Sequence, residues 1–223
     1  MTQQLVKISS IKHITHDVLR IVTEKPREHT FTPGQATEIS INKSGWKDEK
    51  RPFTFTSLPD NDFLEFIIKT YPLHKSVTNE LLHLEKDDDL ILHDVFGAIS
   101  YKGEGVFLAG GAGITPFISI FRDLQTKNKI AGNKLIFANK TEGDIILRQE
   151  LKDLLGRNFI NILSEEKTDE YLHGMITESI LKSHINSSCK NVYVCGPPPM
   201  MDAIEKQLEN LGIDKKVITT EEI

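Results

Sequence analysis

The chain has 223 residues, 39% hydrophobic and 26% charged, with a formal net charge of −5. That length supports one large domain or two smaller ones with real cores, and the acidic balance gives no electrostatic case for nucleic acid or an anionic membrane as partner. Two cysteines exclude a disulfide framework or a four-cysteine cluster, and no stretch approaches about 18 consecutive apolar residues. The start, MTQQLVKISSIKHIT, has no charged residues leading into an apolar run, so no secretory signal is expected and a reducing, cytoplasmic setting is.

Up to about residue 101 the chain reads as short strands between turns. LVKISSIKHIT, VLRIVTE, ATEISIN, PFTFTS, FLEFIIK and DLILHDV have strand length and β-branched or alternating residues. TPGQ, NKSG, LPDND and KDDD supply turn chemistry between them. SVTNELLHL has helical spacing at Val77, Leu81, Leu82 and Leu84. Six strands and one short helix predict a small antiparallel six-stranded β-barrel over residues 1–101.

From about residue 105 strands alternate with helical patterns. GVFLA, KLIFA, FINILS, NVYVC and KVITTEEI read as strands, with helices around PFISIFRDLQ, DIILRQELKDLL, TESILKSHI and MMDAIEKQLENLG. This alternation predicts a doubly wound α/β parallel sheet over residues 105–223.

Three stretches carry chemistry. In GVFLAGGAGITPF a buried strand runs into Gly110, Gly111 and Gly113, where the missing Cβ lets backbone approach a ligand. Thr115 is the expected cap and Pro116 the first helical residue, leaving N–H groups for a pyrophosphate. The pattern is GxGxxP, not the usual dinucleotide fingerprint. In NVYVCGPPPMMDAI a strand ends at Cys195, and Gly196 with three prolines is expected to hold the chain extended before the next helix. Ligands of open α/β sheets sit beyond the carboxyl ends of strands, so Cys195 is expected to face the same crevice as the glycine loop. In RPFTFTSLP, Arg51 and Ser57 bracket an alternating strand with groups suited to an anion.

RPFTFTS, GGAGITP and CGPPPM, in that order, resemble the ferredoxin–NADP reductase superfamily, in its flavodoxin-, flavohaemoglobin- and cytochrome-reductase branches. The resemblance spans nearly the whole chain and implies an FAD-binding barrel followed by an NAD(P)-binding domain. Under it, Arg51 pairs with the flavin pyrophosphate, Phe53 lies on the isoalloxazine, and Thr54 stands near flavin N5, with Pro52 in the same strand. Ile68, Lys69 and Thr70 run beside the isoalloxazine, while Ser76, Val77 and Thr78 serve the pyrophosphate. Phe53 stands where the family usually has tyrosine, which removes a hydroxyl contact, and DVFG at residues 94–97 departs from the commoner GPFG.

On the nucleotide side the resemblance implies that NADH docks on Gly111, Gly113 and Thr115, with Gly110, Ile114 and Pro116 in the same loop. Its nicotinamide lies near Cys195, with Gly196, Pro197 and Met200 forming the turn. Glu221 takes the place of a terminal carboxylate and Ile223 that of a flavin-shielding aromatic. Thr54, Cys195 and Glu221 are the expected catalytic set. Glu165 and Glu166 stand where users of the phosphorylated cofactor place a serine–arginine pair, which favours NADH; Lys140 keeps NADPH open.

The implied activity is an FAD-dependent NAD(P)H oxidoreductase passing hydride to flavin N5 and electrons to a separate acceptor, whether flavodoxin, ferredoxin or a haem protein such as a cytochrome. An NAD(P)H:flavin reductase and an electron-transfer subunit of a larger complex are the alternatives. Eight scattered histidines show no ligand spacing, so no metal site is expected. A monomer is expected, and Trp46, on a loop, is read as packing back, with covering adenine or meeting a partner as the alternatives.

Overall fold

A computed structural model describes residues 3–71, 76–97, 99–185 and 189–221. The described residues divide into two units: residues 3–100 with Thr115–Asp123, and Tyr101–Ile114 with residues 124–221.

The first unit is built on β1 (Gln4–His13), β2 (Val18–Glu24), β3 (Ala36–Ile41), β4 (Arg51–Thr54), β5 (Phe63–Lys69) and β6 (Asp89–Phe96). These form one antiparallel sheet in the order β4-β3-β6-β1-β2-β5. Phe55, just past β4, bridges to Phe66 in β5, so the sheet's two ends join and the barrel closes. The six-stranded antiparallel barrel expected from alternation is what forms. Its interior holds Val6, Ile8, Ile21, Ile39, Phe55, Leu64, Phe66 and Ile68, with Phe31 stacked on Phe55 at 4.2 Å. Each such side chain contributes about 1.5–3 kcal/mol by leaving water.

The helical spacing of SVTNELLHL yields one turn, α1 (Val77–Glu80), then a 3-10 turn over Leu81–His83. Val77 and Leu81 fill the barrel's end. Trp46 is partly buried against this same core and packs back on its own unit. TPGQ forms a turn in which Gln35 N–H donates to Thr32 O at 3.0 Å. Gly34 takes φ +97° there, a conformation that turns with a proline before the glycine require.

The second sheet comprises β7 (Val106–Gly110), β8 (Lys134–Asn139), β9 (Phe159–Leu163), β10 (Leu172–His173), β11 (Val192–Cys195) and β12 (Ile218–Thr220). All pair in parallel, in the order β10-β9-β8-β7-β11-β12. The chain steps outward from β7 through β8 and β9, then returns to β7's other side as β11, so a topological switch lies between β7 and β11. The helices are α2 (Thr115–Thr126), α3 (Arg148–Leu155), α4 (Glu178–His184) and α5 (Pro198–Asn210). One face of the sheet packs Val106, Leu108, Ile136, Ile162 and Val194 against Leu181, Ile204 and Leu208 of α4 and α5.

Four local expectations change. Strand β10 is additional to the five expected; two residues are too few to show a period. The helix drawn over DIILRQELKDLL starts only at Arg148, because Leu147 takes φ +50° and residues Glu142–Asp144 form a separate 3-10 turn. Only Pro197 is extended after Cys195; Pro198 and Pro199 are the first residues of α5, where a missing N–H costs no helical bond. Thr115 is the first residue of α2 and not its cap, since Gly111–Ile114 already turn as a 3-10 helix, which moves Pro116 to the second position.

Candidate functional site

In the second unit the site grows from the switch between β7 and β11. Cys195 pairs with Ala109 in register, so Gly110 and Gly196 follow side by side. The glycines are needed for different reasons. A Cβ on Gly113 would overlap the Cys195 carbonyl, and one on Gly110 would overlap Met200 Sδ. Gly111 meets nothing within 4 Å but takes φ +51°. A Cβ on Gly196 would meet Met200 Sδ at 3.1 Å. The turn Gly196, Pro197 and Met200 is therefore pressed against the glycine loop, while Gly111 leaves open space. Ile114 and Pro116 are both buried.

Cys195 is 1% exposed. Burial, and then the negative charge of Glu221, push its thiol up to about 12, so it carries its proton throughout the neutral range. It is a weak S–H donor and not a thiolate nucleophile. Burial also raises Glu221, which lies just past β12. The charge of Glu221 is thus felt at the Cys195 thiol. Ile223, read as a flavin shield, lies outside the described residues, as do residues 72–75 of the segment before Ser76.

At the ends of β8 and β9, Lys140 Nζ lies 2.9 Å from Glu165 Oε1, both side chains mostly exposed. Glu166 accepts from the Glu142 N–H at 2.7 Å. Glu165 is thus a charge partner for Lys140, the ammonium on which NADPH use would rest.

In the first unit, Arg51 and Pro52 face outward on β4, the strand bordering β3. The Arg51 guanidinium donates to its neighbour's carbonyl, Lys50 O, at 2.6 Å and lies 3.8 Å from Glu49, leaving it on the surface. Phe53 is half-buried against the barrel core. Thr54 is half-buried, its hydroxyl 3.4 Å from that of Thr115. The other two hydroxyls of RPFTFTS are consumed internally: Thr56 donates to Glu65 Oε1 at 2.8 Å, and Ser57 Oγ accepts from the Glu65 N–H at 3.1 Å. Ser57, 1% exposed, is therefore no anion ligand; it braces a strand.

Ile68 and Val77 point into the barrel core, which leaves only their backbone for a ligand. Lys69 pairs with Asp17 at 2.8 Å, and Thr70 donates through both N–H and hydroxyl to Asp17 O, so this strand end is tied to the β1–β2 turn. Ser76 and Thr78 hydroxyls lie 2.9 Å apart.

Sequence reasoning missed one cluster. Glu65, 1% exposed on the barrel's outer face, accepts from Arg20 Nε at 2.6 Å and from Arg122 Nη1 at 2.6 Å. Burial works against its charge, but Arg122, Thr56 and Arg20 outweigh that and hold the carboxyl below its ordinary range. A lone acid within FLEFIIK, an otherwise apolar strand, was the available signal.

The residues present fit two dinucleotides: a glycine cradle without room for side chains at Gly110 and Gly113, and an outward arginine with a half-buried threonine on a barrel strand. A closed antiparallel barrel, joined in one chain to a parallel sheet carrying such a loop at its switch point, defines a two-domain flavin- and pyridine-dinucleotide-binding fold. Residues 3–129 match the family described as an FAD-binding domain, and residues 107–206 that described as an oxidoreductase NAD-binding domain. NADH-cytochrome b5 reductase 1 of Aspergillus terreus is 30% identical over 91% of this chain and 75% of its own length. The reductase component of propane 2-monooxygenase from Mycolicibacterium smegmatis is 28% identical over 88% of this chain. Among structures, a Neisseria gonorrhoeae ferredoxin NADP+ reductase with bound FAD and NADP aligns over 99% of this chain and 98% of its own, with TM-score 0.86 and 19% identity. The CS-b5R domains of human Ncb5or in the NAD+ form align over 98% and 69%, with TM-score 0.84 and 26% identity. The chain belongs to this family of FAD- and NAD-binding oxidoreductases, with the ferredoxin–NADP reductase fold. It spans about three-fifths of the length of several curated relatives it matches, 62% and 61% of the first two.

Proposed function

We propose that the chain is an FAD-dependent NADH reductase that feeds electrons to a separate acceptor. The observation that carries this reading is the Cys195 turn: a buried thiol that keeps its proton, pressed against a side-chain-free glycine loop. When bound, the two dinucleotides supply the chemistry, hydride passing from nicotinamide to flavin N5.

The protein's own residues bind and orient. Arg51 offers the flavin pyrophosphate a charge-assisted contact of about 1.5–3 kcal/mol, and the backbone around Ser76, Val77 and Thr78 completes that grip. Phe53 supplies an apolar ring face, Thr54 a hydroxyl for the flavin's reacting edge, and Ile68 and Lys69 a backbone rail. On the nucleotide side Gly111, Gly113 and Thr115 receive NADH. The Cys195 S–H excludes water and orients the nicotinamide, and the Glu221 carboxyl, whose proton affinity burial raises, lends its charge to keeping that thiol protonated. Glu165 ties up Lys140 and suits a ribose diol better than a 2′-phosphate, which favours NADH over NADPH.

The acceptor is a flavodoxin, a ferredoxin or a haem protein such as a cytochrome. The likeness to b5 reductases and a monooxygenase reductase component supports transfer to another protein. It also supports the second reading, an electron-transfer subunit within a larger assembly. Two unpaired cysteines suit a reducing cytoplasm. Among the described residues no helix is long and apolar enough to cross a membrane.

The test is an anaerobic absorption spectrum of the purified chain before and after NADH, repeated with NADPH. Bound FAD bleached faster by NADH is the expected result. A colourless protein that reduces added flavin would replace this reading with a flavin reductase, and yellow protein unmoved by either donor would end it. Arg51→Ala should lower FAD retention far more than NADH binding.

A further inference from the structure

Three polar side chains of α2 lie on one face at helical spacing: Thr115, Ser119 and Arg122, at i, i+4 and i+7. Between them the helix is apolar and buried, with Phe117, Ile118, Ile120 and Phe121 at 1% exposure or less. Each polar residue meets the barrel within the first unit. Thr115 Oγ1 stands 3.4 Å from Thr54 Oγ1. Ser119, fully buried, accepts from the Gly34 N–H at 3.0 Å. Arg122 donates to Thr56 O at 2.7 Å and to Glu65 Oε1 at 2.6 Å. On the far side of that carboxylate Arg20 reaches Oε2 through Nε at 2.6 Å and Nη2 at 2.5 Å.

A buried carboxylate with two guanidiniums and a hydroxyl is costly unless fully satisfied, and replacing it by apolar groups is often neutral or stabilising. Stability alone is thus a poor reason for it. Its geometry offers a better one. Arg122 grips the strand at Thr56, two residues beyond Thr54, and the helix at a point two turns below Thr115. Rotation or sliding of the helix along its axis would break the Arg122 and Ser119 contacts together.

We propose that Arg122 and Glu65 are positioning residues that act through Thr115, locking α2 so that the Thr115 hydroxyl is held at that of Thr54. The inference rests on the preceding reading, in which Thr54 serves the flavin and Thr115 helps receive NADH. A helix slip of one ångström at Thr115 would shift that NADH contact relative to Thr54 while leaving Arg51, the partner of the flavin pyrophosphate, in place. Reaction rate is then far more sensitive to the clamp than affinity is.

The test uses the full chain with its flavin. Arg122→Gln and the charge-free pair Glu65→Gln with Arg122→Gln are compared with Arg122→Lys, each with and without Thr115→Ala. Flavin content, NAD+ affinity by titration, the single-turnover rate of flavin bleaching by NADH, and amide hydrogen exchange over residues 115–123 are measured. The expected result is a fall of about tenfold or more in bleaching rate with NAD+ affinity within about threefold. Exchange over 115–123 should quicken, Arg122→Lys should recover part of the rate, and Arg122→Gln should add little once Thr115 is alanine. Equal effects in both Thr115 backgrounds, an unchanged rate, or flavin loss that accounts for the whole decline would overturn the proposal. A wild-type chain that holds flavin but is not bleached by NADH or NADPH would instead overturn the reading beneath it, whatever the exchange of α2 shows.

Discussion

The two units secure their candidate sites by opposite means. In the barrel, the strand carrying Arg51 and Thr54 is held by side chains: Thr56 and Ser57 turn inward onto Glu65, and two arginines close over the carboxylate. In the parallel sheet, the loop after β7 is held by the absence of side chains, with Gly110 and Gly113 letting it settle on the Cys195–Met200 turn. The first arrangement is vulnerable to losing a charge, the second to gaining a carbon. A polar clamp also has a pH limit that a steric one lacks.

The largest expected effect tests the polar side. Glu65→Ala should destabilise the barrel by about 3–5 kcal/mol, because it strands two guanidiniums and a threonine hydroxyl, although the part-exposed Arg20 tempers the loss. Denaturant unfolding would show it, and a loss below about 1 kcal/mol would dissolve the contrast. The acid limb should follow. The folded-state carboxyl of Glu65 is held below its ordinary value of 4.5, so its stabilisation is complete above that pH and is lost as pH falls through the depressed value. Glu65→Gln should therefore be less stable at neutral pH but flatter between about pH 5 and 2.

Next comes the steric side. Gly113→Ala sets a methyl on backbone that cannot move as a side-chain tip can, and should cost about 1–3 kcal/mol together with nucleotide binding. Gly111→Ala meets no neighbour and should cost only about 1–2 kcal/mol, for its φ of +51°. Similar losses at both positions in thermal melts would show that close packing is not what the loop needs. Smaller again, Cys195→Ser should slow flavin reduction about tenfold with FAD retained, a decline visible in stopped-flow absorbance. The smallest shift should come from Glu165→Gln, which frees Lys140 and should narrow an NADH preference severalfold in competition between the two donors.

The same contrast explains what could be read from the amino acids. Both sheets were legible because alternation in VLRIVTE and buried runs such as GVFLA report burial directly. The glycine loop and Cys195 were legible because a missing side chain and a strand-end cysteine are local features. The clamp was not, since Arg20, Glu65 and Arg122 are far apart in sequence and each alone reads as a surface charge. Ser57 in RPFTFTS was misjudged for the same reason: its hydroxyl is taken by the Glu65 N–H, which depends on β5 and not on the motif. Prolines 197–199 misled differently, because Pro198 and Pro199 open a helix as readily as they extend a loop.

Trp46, the chain's sole indole, rests on the barrel core, whereas three of the four tyrosines, Tyr101, Tyr171 and Tyr193, belong to the other unit. Emission excited at the red edge of protein absorption therefore reports on one half of the molecule only. Melting followed through that single fluorophore, set beside tyrosine emission, would reveal whether the halves come apart in one transition or two without any label being added.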